Sequence, residues 1–148
     1  MGNHDHYGNA SAQIAYTKHS SRWILPNYNY SISIKIDNGA QELINIIMLD
    51  TVTMCGNTLE NEKYGQPKYW SSKEKHASNL YFEELKKKLE IISNSSTPYI
   101  IVAGHFPVWS IAEHGPTQCL VDKLRPLLHE YKVTAYICGH DHNLQHIV

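Results

Sequence analysis

The feature that most constrains the fold is an apolar run that ends in glycine followed by histidine, and it occurs twice. The first run, Tyr99–Gly104, leads into His105, and the second, Ala135–Gly139, leads into His140. Short apolar runs bounded by glycine are typical of strands in a parallel sheet, and we expect the second to be fully buried. Open α/β sheets place their sites in the loops beyond the carboxyl ends of such strands. The sequence therefore predicts two histidine loops at one rim of a sheet.

These loops have the composition of a metal site. His142 follows His140 after one residue, and the chain opens with Gly2, Asn3 and His4, which resembles the other two loops. Neutral imidazole is the commonest metal ligand in proteins, so three such loops could converge on one metal. A single histidine after a strand is more often structural, and Asn3 alone would be read as a turn asparagine. The repetition favours the metal site.

The three loops resemble the last three of the five motifs of the purple acid phosphatases, which belong to the calcineurin-like metallophosphoesterases. The resemblance covers essentially the whole chain. It is strongest to the tartrate-resistant (type 5) group of animals, in the segments 49–57, 105–117 and 124–128. The first two motifs of the family are absent, because only Met1 precedes the first loop. We therefore expect a chain truncated at its amino end and unfinished at its carboxyl end.

The resemblance implies a fold and a domain. The expected class is α/β, an α+β sandwich of the metallophosphoesterase type: part of a two-sheet β-sandwich flanked by helices, with the metal site at strand ends. Residues 1–148 would form one partial calcineurin-like metallophosphoesterase domain.

The resemblance also implies site residues. Asn3, His105 and His140 match the ligands of a divalent metal (Fe²⁺, Zn²⁺ or Mn²⁺), and His142 matches a ligand of Fe³⁺. The other roles are those of His4 and His114, which would hold the phosphate and protonate the leaving alcohol, and of Asp5, which would orient His4.

Other readings of these residues stay open. His114 could be a surface histidine paired with Glu113, and Asp141 reads as a loop-orienting residue and not as a ligand. We predict no role in the site for His6, His19, His76, His129 and His146.

The expected function is hydrolysis of phosphate monoesters (phosphoproteins, nucleotides or small phosphates) by an acid phosphatase with a binuclear metal centre. Because the absent motifs would supply a bridging aspartate, a terminal aspartate and a tyrosinate, we expect this chain alone to have little or no activity. One alternative is a non-catalytic isoform or fragment that binds metal, phosphate or a partner. Another is a phosphodiesterase. The segment 108–117 disfavours this alternative, because its sequence resembles that of the type 5 acid phosphatases.

Composition sets further limits. With 148 residues and a formal net charge of −1, the chain has no basic stripe that would indicate nucleic-acid binding. It has no apolar segment long enough for a membrane span, and we expect a monomer. The resemblance implies a disulfide between Cys55 and Cys119, glycosylation at Asn9, and a secreted or lysosomal protein.

The remaining secondary structure follows from periodicity and turn signals. Asp37–Gly39 is a hairpin signal, and Pro126 predicts a kink or two pieces in the last helix. The expected elements are helices at 12–18, 78–92 and 117–131, strands at 28–36, 43–49, 99–103 and 133–138, and a long loop at 50–72.

Overall fold

A computed structural model describes residues 1–39, 41–56 and 72–148, and for residues 72–75 the backbone alone. The strands are β1 (Tyr30–Ile36), β2 (Gln41–Leu49), β3 (Tyr99–Gly104) and β4 (Ala135–Ile137). The α-helices are α1 (Ala10–Tyr16), α2 (Thr51–Cys55), α3 (Ser72–Ser93) and α4 (Gln118–Glu130). Short 3-10 helices span Asn3–Tyr7 and Asp37–Gly39. No helix among the described residues is long and apolar enough to cross a membrane.

The strands form one four-stranded sheet in the order β1-β2-β3-β4. β1 and β2 are antiparallel, joined by the predicted turn, in which Asp37, Asn38 and Gly39 all have positive φ. β2, β3 and β4 are parallel, so the predicted strand–helix–strand crossover through α4 is confirmed. The carboxyl ends of three parallel strands therefore lie along one edge of the sheet.

The hydrophobic core lies between the sheet and helices α3 and α4. The predicted inward face of α3 is confirmed, since Phe82, Leu85, Leu89 and Ile92 are all buried. From α4, Leu120 and Leu124 are completely buried and Leu127 nearly so. The implied disulfide is confirmed: it joins Cys55 of α2 to Cys119 of α4, whose Cα atoms are 5.8 Å apart. The opposite face of the sheet is half-covered, and the second sheet of the expected sandwich is not among the described residues.

Several expected boundaries were wrong for local reasons. The helix expected at 12–18 begins at Ala10, because the Asn9 side chain accepts a hydrogen bond from the Ala12 amide and caps it. Helix α3 begins at Ser72 and not at 78. Helix α4 is one helix across Pro126, so of the two predicted alternatives, a kink or two pieces, the second is wrong. The loop expected at 50–72 contains α2, while 57–71 lie outside the described residues.

The two outer strands of the sheet, β4 and β1, also differ from expectation. β4 is three residues long, and it is not the fully buried strand that its apolar sequence predicted: Ile137 is 56% exposed and Cys138 is exposed. At this end of the sheet as described, β4 has a neighbour on one side only. β1 is likewise exposed over most of its length, and its half-buried part is confined to Tyr30 and Ile32.

One glycine is required by close packing at the edge of the sheet that carries the histidines. A Cβ atom on Gly104 would lie 2.5 Å from Cγ2 of Thr51 and 2.8 Å from the hydroxyl of Tyr136. The Tyr136 hydroxyl donates to the carbonyl of Phe106 at 2.6 Å, and burial raises its pKa. The Thr51 hydroxyl accepts from the Phe106 amide at 2.9 Å. Gly104 thus lets both neighbouring strand ends approach and fix the backbone that follows His105.

Candidate metal centre

Three separate segments bring their polar groups to the carboxyl ends of β3 and β4. His105 directly follows β3, His140 follows β4 after two residues, and Asn3 opens the amino-terminal 3-10 helix. The loops after β3 and β4 are hydrogen-bonded to each other, since the Gly139 amide donates to the His105 carbonyl at 3.0 Å. Residues distant in the sequence therefore share one site.

The donor atoms of these three side chains converge. Nε2 of His105 lies 2.7 Å from Oδ1 of Asn3 and 3.2 Å from Nδ1 of His140. Ligand atoms of a tetrahedral site with bonds of about 2.1 Å stand roughly 3.4 Å apart, so this spacing is close to that of a metal site. Two imidazole nitrogens and an amide oxygen suit a divalent ion such as Zn²⁺ or Fe²⁺. The structure thus brings together the three residues that the family resemblance assigned to the divalent metal.

His140 is held in an unusual conformation. Its φ is +72°, in the left-handed region that residues with a Cβ atom seldom adopt and that costs of order 1 kcal/mol. Its ring packs edge-on against buried Phe106, with centroids 4.7 Å apart. Such strain tends to occur at functional sites because the surrounding contacts must hold the side chain in place. Here those contacts direct Nδ1 of His140 toward His105.

Of the other predicted site residues, His114 contacts this cluster. The ring centroids of His114 and His140 are 4.3 Å apart. His4 is exposed and contacts the ring of Tyr7 at 5.0 Å, and His142 is exposed as well.

Asp5 contacts groups other than His4. It accepts hydrogen bonds from the Gly2 amide at 2.7 Å and from the Gln13 side chain at 3.1 Å. The hydrogen bond from Gly2 holds the pKa of Asp5 below its usual value. In these contacts Asp5 fastens the turn that carries His4 and does not orient the His4 ring directly.

Among the residues that the structure describes, no group of three or more His, Cys, Asp and Glu side chains is arranged to hold a metal ion. The convergent set contains two histidines and the asparagine, so it has no charged ligand. A hard ion such as Fe³⁺ is held by anionic oxygen ligands, and the convergent set contains none. The described side chains therefore suit a divalent ion and do not by themselves suit Fe³⁺.

His6, which we predicted to have no role in the site, makes a largely buried contact with the residue that follows β2. Its Nε2 is 3.0 Å from Oδ2 and 3.2 Å from Oδ1 of Asp50, a carboxylate with no exposed surface. Asp50 also accepts from the amide and the hydroxyl of Thr53, at 3.2 Å and 2.6 Å. This contact ties the 3-10 helix that carries Asn3 to the end of β2.

Part of that network could be predicted from the sequence. Asp50 comes directly after a strand, and Gly56 follows six residues later; together they form the cap signals of a short helix. The structure shows both caps, with Asp50 accepting at the amino end and Gly56 at φ +75° at the carboxyl end. No comparable signal identifies His6, because its partner is 44 residues away.

Gly2 provides a direct test of the centre's geometry. A Cβ atom on Gly2 would lie 2.9 Å from Nδ1 and from Cε1 of His105, so Gly2→Ala should push that ring away from Asn3 and His140. The φ of Gly2 is −98°, so alanine causes no backbone strain there. We expect roughly tenfold weaker Zn²⁺ binding by the 148-residue chain, measured by competition with a chromophoric chelator. Gly8→Ala is the matched control, since nothing lies within 4 Å of its added Cβ; equal affinities for the two variants would contradict this geometry.

Comparison with known proteins shows what this chain is similar to. The profile of the family described as calcineurin-like phosphoesterase matches residues 1–144. The chain is 51% identical to human (Homo sapiens) tartrate-resistant acid phosphatase type 5 over 146 residues, which cover 99% of this chain and 43% of that protein. It is 32% identical to purple acid phosphatase 7 of Arabidopsis thaliana, over 99% of this chain and 42% of that protein. The chain thus spans less than half the length of these relatives.

A solved structure also resembles the fold. It is described as GAP50, the anchor in the inner membrane complex of Plasmodium. The two structures agree with a TM-score of 0.69 at 26% sequence identity, over 93% of this chain and 40% of that one.

Proposed function

Since the chain belongs to the calcineurin-like phosphoesterase family, we propose that its histidine cluster forms part of the centre of an acid phosphatase that hydrolyses phosphate monoesters. The observation that supports this proposal best is that Nε2 of His105 lies within 3.2 Å of both Oδ1 of Asn3 and Nδ1 of His140. The substrate class is a phosphate monoester, such as a phosphoprotein, a nucleotide or a small phosphate.

The centre we propose is binuclear, with Fe³⁺ beside Fe²⁺, Zn²⁺ or Mn²⁺. Asn3, His105 and His140 would hold the divalent ion, and His142 would contribute to the ferric site. When bound, such a metal pair supplies hydroxide near neutral pH and stabilises the charge of the transferring phosphoryl group.

His4 and His114 are the proposed groups that act on the substrate. Both side chains are exposed, and His114 lies against His140, so an ester bound at the cluster could contact it. An imidazolium can hold a phosphate oxygen and donate a proton to the leaving alcohol. Imidazole is cationic in acid solution, which suits an acid phosphatase.

A second candidate is a non-catalytic chain that binds metal, phosphate or a partner. It is favoured by the incomplete set of ligands among the described residues and by the structural neighbour, whose description names it as an anchor. This candidate predicts binding without turnover.

We propose that the protein is secreted or lysosomal. We also propose that it is a monomer. The disulfide between Cys55 and Cys119 supports an oxidising environment. Asn9 is exposed at the start of α1 and followed two residues later by Ser11, which suits glycosylation.

The 148-residue chain tests the proposal in two steps. Loaded with Zn²⁺, it should bind inorganic phosphate, and it should not do so when the metal is chelated. It should hydrolyse p-nitrophenyl phosphate at acid pH at least 1,000-fold more slowly than a typical enzyme, which turns over about 10 times per second. The physical reason is that the described side chains suit one divalent ion and do not complete a ferric site.

The possible results have different consequences. Enzyme-like turnover by the 148-residue chain would support the phosphatase candidate. It would contradict the expectation that this chain alone has little or no activity. Absence of metal-dependent phosphate binding would contradict the proposed function. Peptide mapping of the protein purified from its source then separates the two candidates: acid phosphatase activity that copurifies with peptides of this chain favours the enzyme, and binding without activity favours the non-catalytic chain.

A further inference from the structure

The loop that carries His114, residues 105–117, is stabilised by the side chain of Gln145, which lies in the segment after β4. Oε1 of Gln145 accepts a hydrogen bond from the Ile111 amide at 3.0 Å. Nε2 of the same side chain donates to the Ser110 hydroxyl at 2.8 Å and to Oδ1 of Asn143 at 2.6 Å. The Gln145 amide group therefore connects the loop after β3 to the segment after β4 with both of its polar atoms.

A second contact joins the same two loops closer to the histidines. Oδ1 of Asp141 accepts from the backbone amide of His114 at 3.2 Å. Asp141 thus orients the loop, as its position between His140 and His142 suggested. Ser110, whose hydroxyl accepts from Gln145, is only 8% exposed, so the residues around it hold this hydroxyl in place. That hydroxyl also accepts from the Ala112 amide at 3.1 Å.

Few other bonds of the described residues hold this loop. At its base the Thr117 amide donates to the Pro107 carbonyl at 3.3 Å, and near its tip the Gly115 amide donates to the Ala112 carbonyl at 3.0 Å. The Ile111 side chain is 90% exposed and does not anchor the loop by packing. Residues 106–108 and Ser110 are buried and fix the base of the loop, so the hydrogen bonds that cross from 141 and 145 act on its outer part, which carries His114.

We propose that Gln145 is a positioning residue that fixes the His114 loop over the histidine cluster. This inference rests on the proposed function in one respect, namely that His114 contacts the phosphate. Gln145 touches neither the donor atoms of Asn3, His105 and His140 nor, in the proposed mechanism, the substrate. It should therefore affect phosphate binding and leave metal binding unchanged.

The first test does not depend on phosphate chemistry. Gln145→Met keeps the length of the side chain and removes both polar atoms. Amide hydrogen exchange of the 148-residue chain, followed by mass spectrometry, should become roughly tenfold faster at Ile111, the equivalent of one lost hydrogen bond. Gln118→Met is the matched control, because Gln118 makes a similar exposed bond to Asp122 on α4. Unchanged exchange in Gln145→Met would overturn the proposal.

A conservative variant separates the contact from general disruption. Gln145→Glu keeps an acceptor for the Ile111 amide. The Ser110 hydroxyl can donate to the new carboxylate, and the Asn143 amide, turned over, can donate to it through Nδ2. It should retain most of the protection of the loop. If Glu and Met were equally disruptive, the hydrogen bonds would not be the cause, and the proposal would fail.

The second test measures the effect on the site. In the Zn²⁺-loaded chain, Gln145→Met should weaken inorganic phosphate binding about tenfold with unchanged Zn²⁺ affinity. His114→Ala should show the same loss, and the variant with both substitutions should show no further loss. The reason is that Gln145 affects phosphate binding only through His114. Additive losses would overturn the proposal. If the unmutated chain binds no phosphate, the proposed function fails, and the exchange experiment still decides the role of Gln145.

Discussion

His105→Ala should lower the divalent-metal affinity of the chain by roughly 100-fold or more, because it removes the central ligand of the convergent set. Nε2 of His105 is the atom that both other donors face, Asn3 Oδ1 at 2.7 Å and His140 Nδ1 at 3.2 Å. Without it, an asparagine oxygen and one imidazole remain, and such a pair binds divalent ions weakly. The measurement is a Co²⁺ titration followed by visible absorption, which reports ions bound by imidazole ligands.

The control must account for the ten histidines of the chain. His19→Ala removes an exposed imidazole that contacts the Tyr16 ring and belongs to no part of the cluster. It should leave the Co²⁺ spectrum and the affinity unchanged. Equal losses in the two variants would mean that binding is distributed over surface histidines, and the centre proposed here would be wrong.

Removal of the disulfide should lower the free energy of unfolding by roughly 4 kcal/mol in the chain-entropy model, because the bond closes a loop between cysteines 64 residues apart. The whole stability of a domain is about 5–15 kcal/mol, so this is a large part of it. The variant Cys55→Ala with Cys119→Ala avoids buried polar replacements, since Cys55 lies in the core. Urea unfolding followed by tryptophan fluorescence gives the free energy of each form.

The chain contains its own control for this experiment. Cys138 is a free and exposed cysteine just after β4. Cys138→Ala removes a thiol without opening a loop, and it should change the free energy of unfolding by less than about 0.5 kcal/mol. A double variant as stable as Cys138→Ala would show that the covalent bond between α2 and α4 contributes nothing to the fold.

The sequence predicted the framework of the site because its signals are local. An apolar run ending in glycine and histidine specifies a strand and the loop beyond it, and both β3 and β4 are found with His105 and His140 at their ends. Leucines at helical spacing specify the buried faces of α3 and α4. The motifs were also sufficient to recognise the family, which the match over residues 1–144 confirms.

Burial of the sheet could not be predicted in the same way. The apolar sequence of β4 predicted a strand covered on both faces, but Ile137 is more than half exposed. Hydrophobicity reports what a strand can bury, and the elements packed against it decide what it does bury. The short helix α2 was missed although its caps are local, because five residues are too few to show a helical period.

The sequence by itself determined which residue types reach the rim of the sheet, because strand ends and turns are set by neighbours along the chain. Only the tertiary structure decided which atoms meet there. Asn3 and His105 are 102 residues apart, His6 and Asp50 44 apart, and Gln145 and Ser110 35 apart. A hydrogen bond between such partners depends on the packing of whole strands and helices to within fractions of an ångström, and no local pattern encodes that distance.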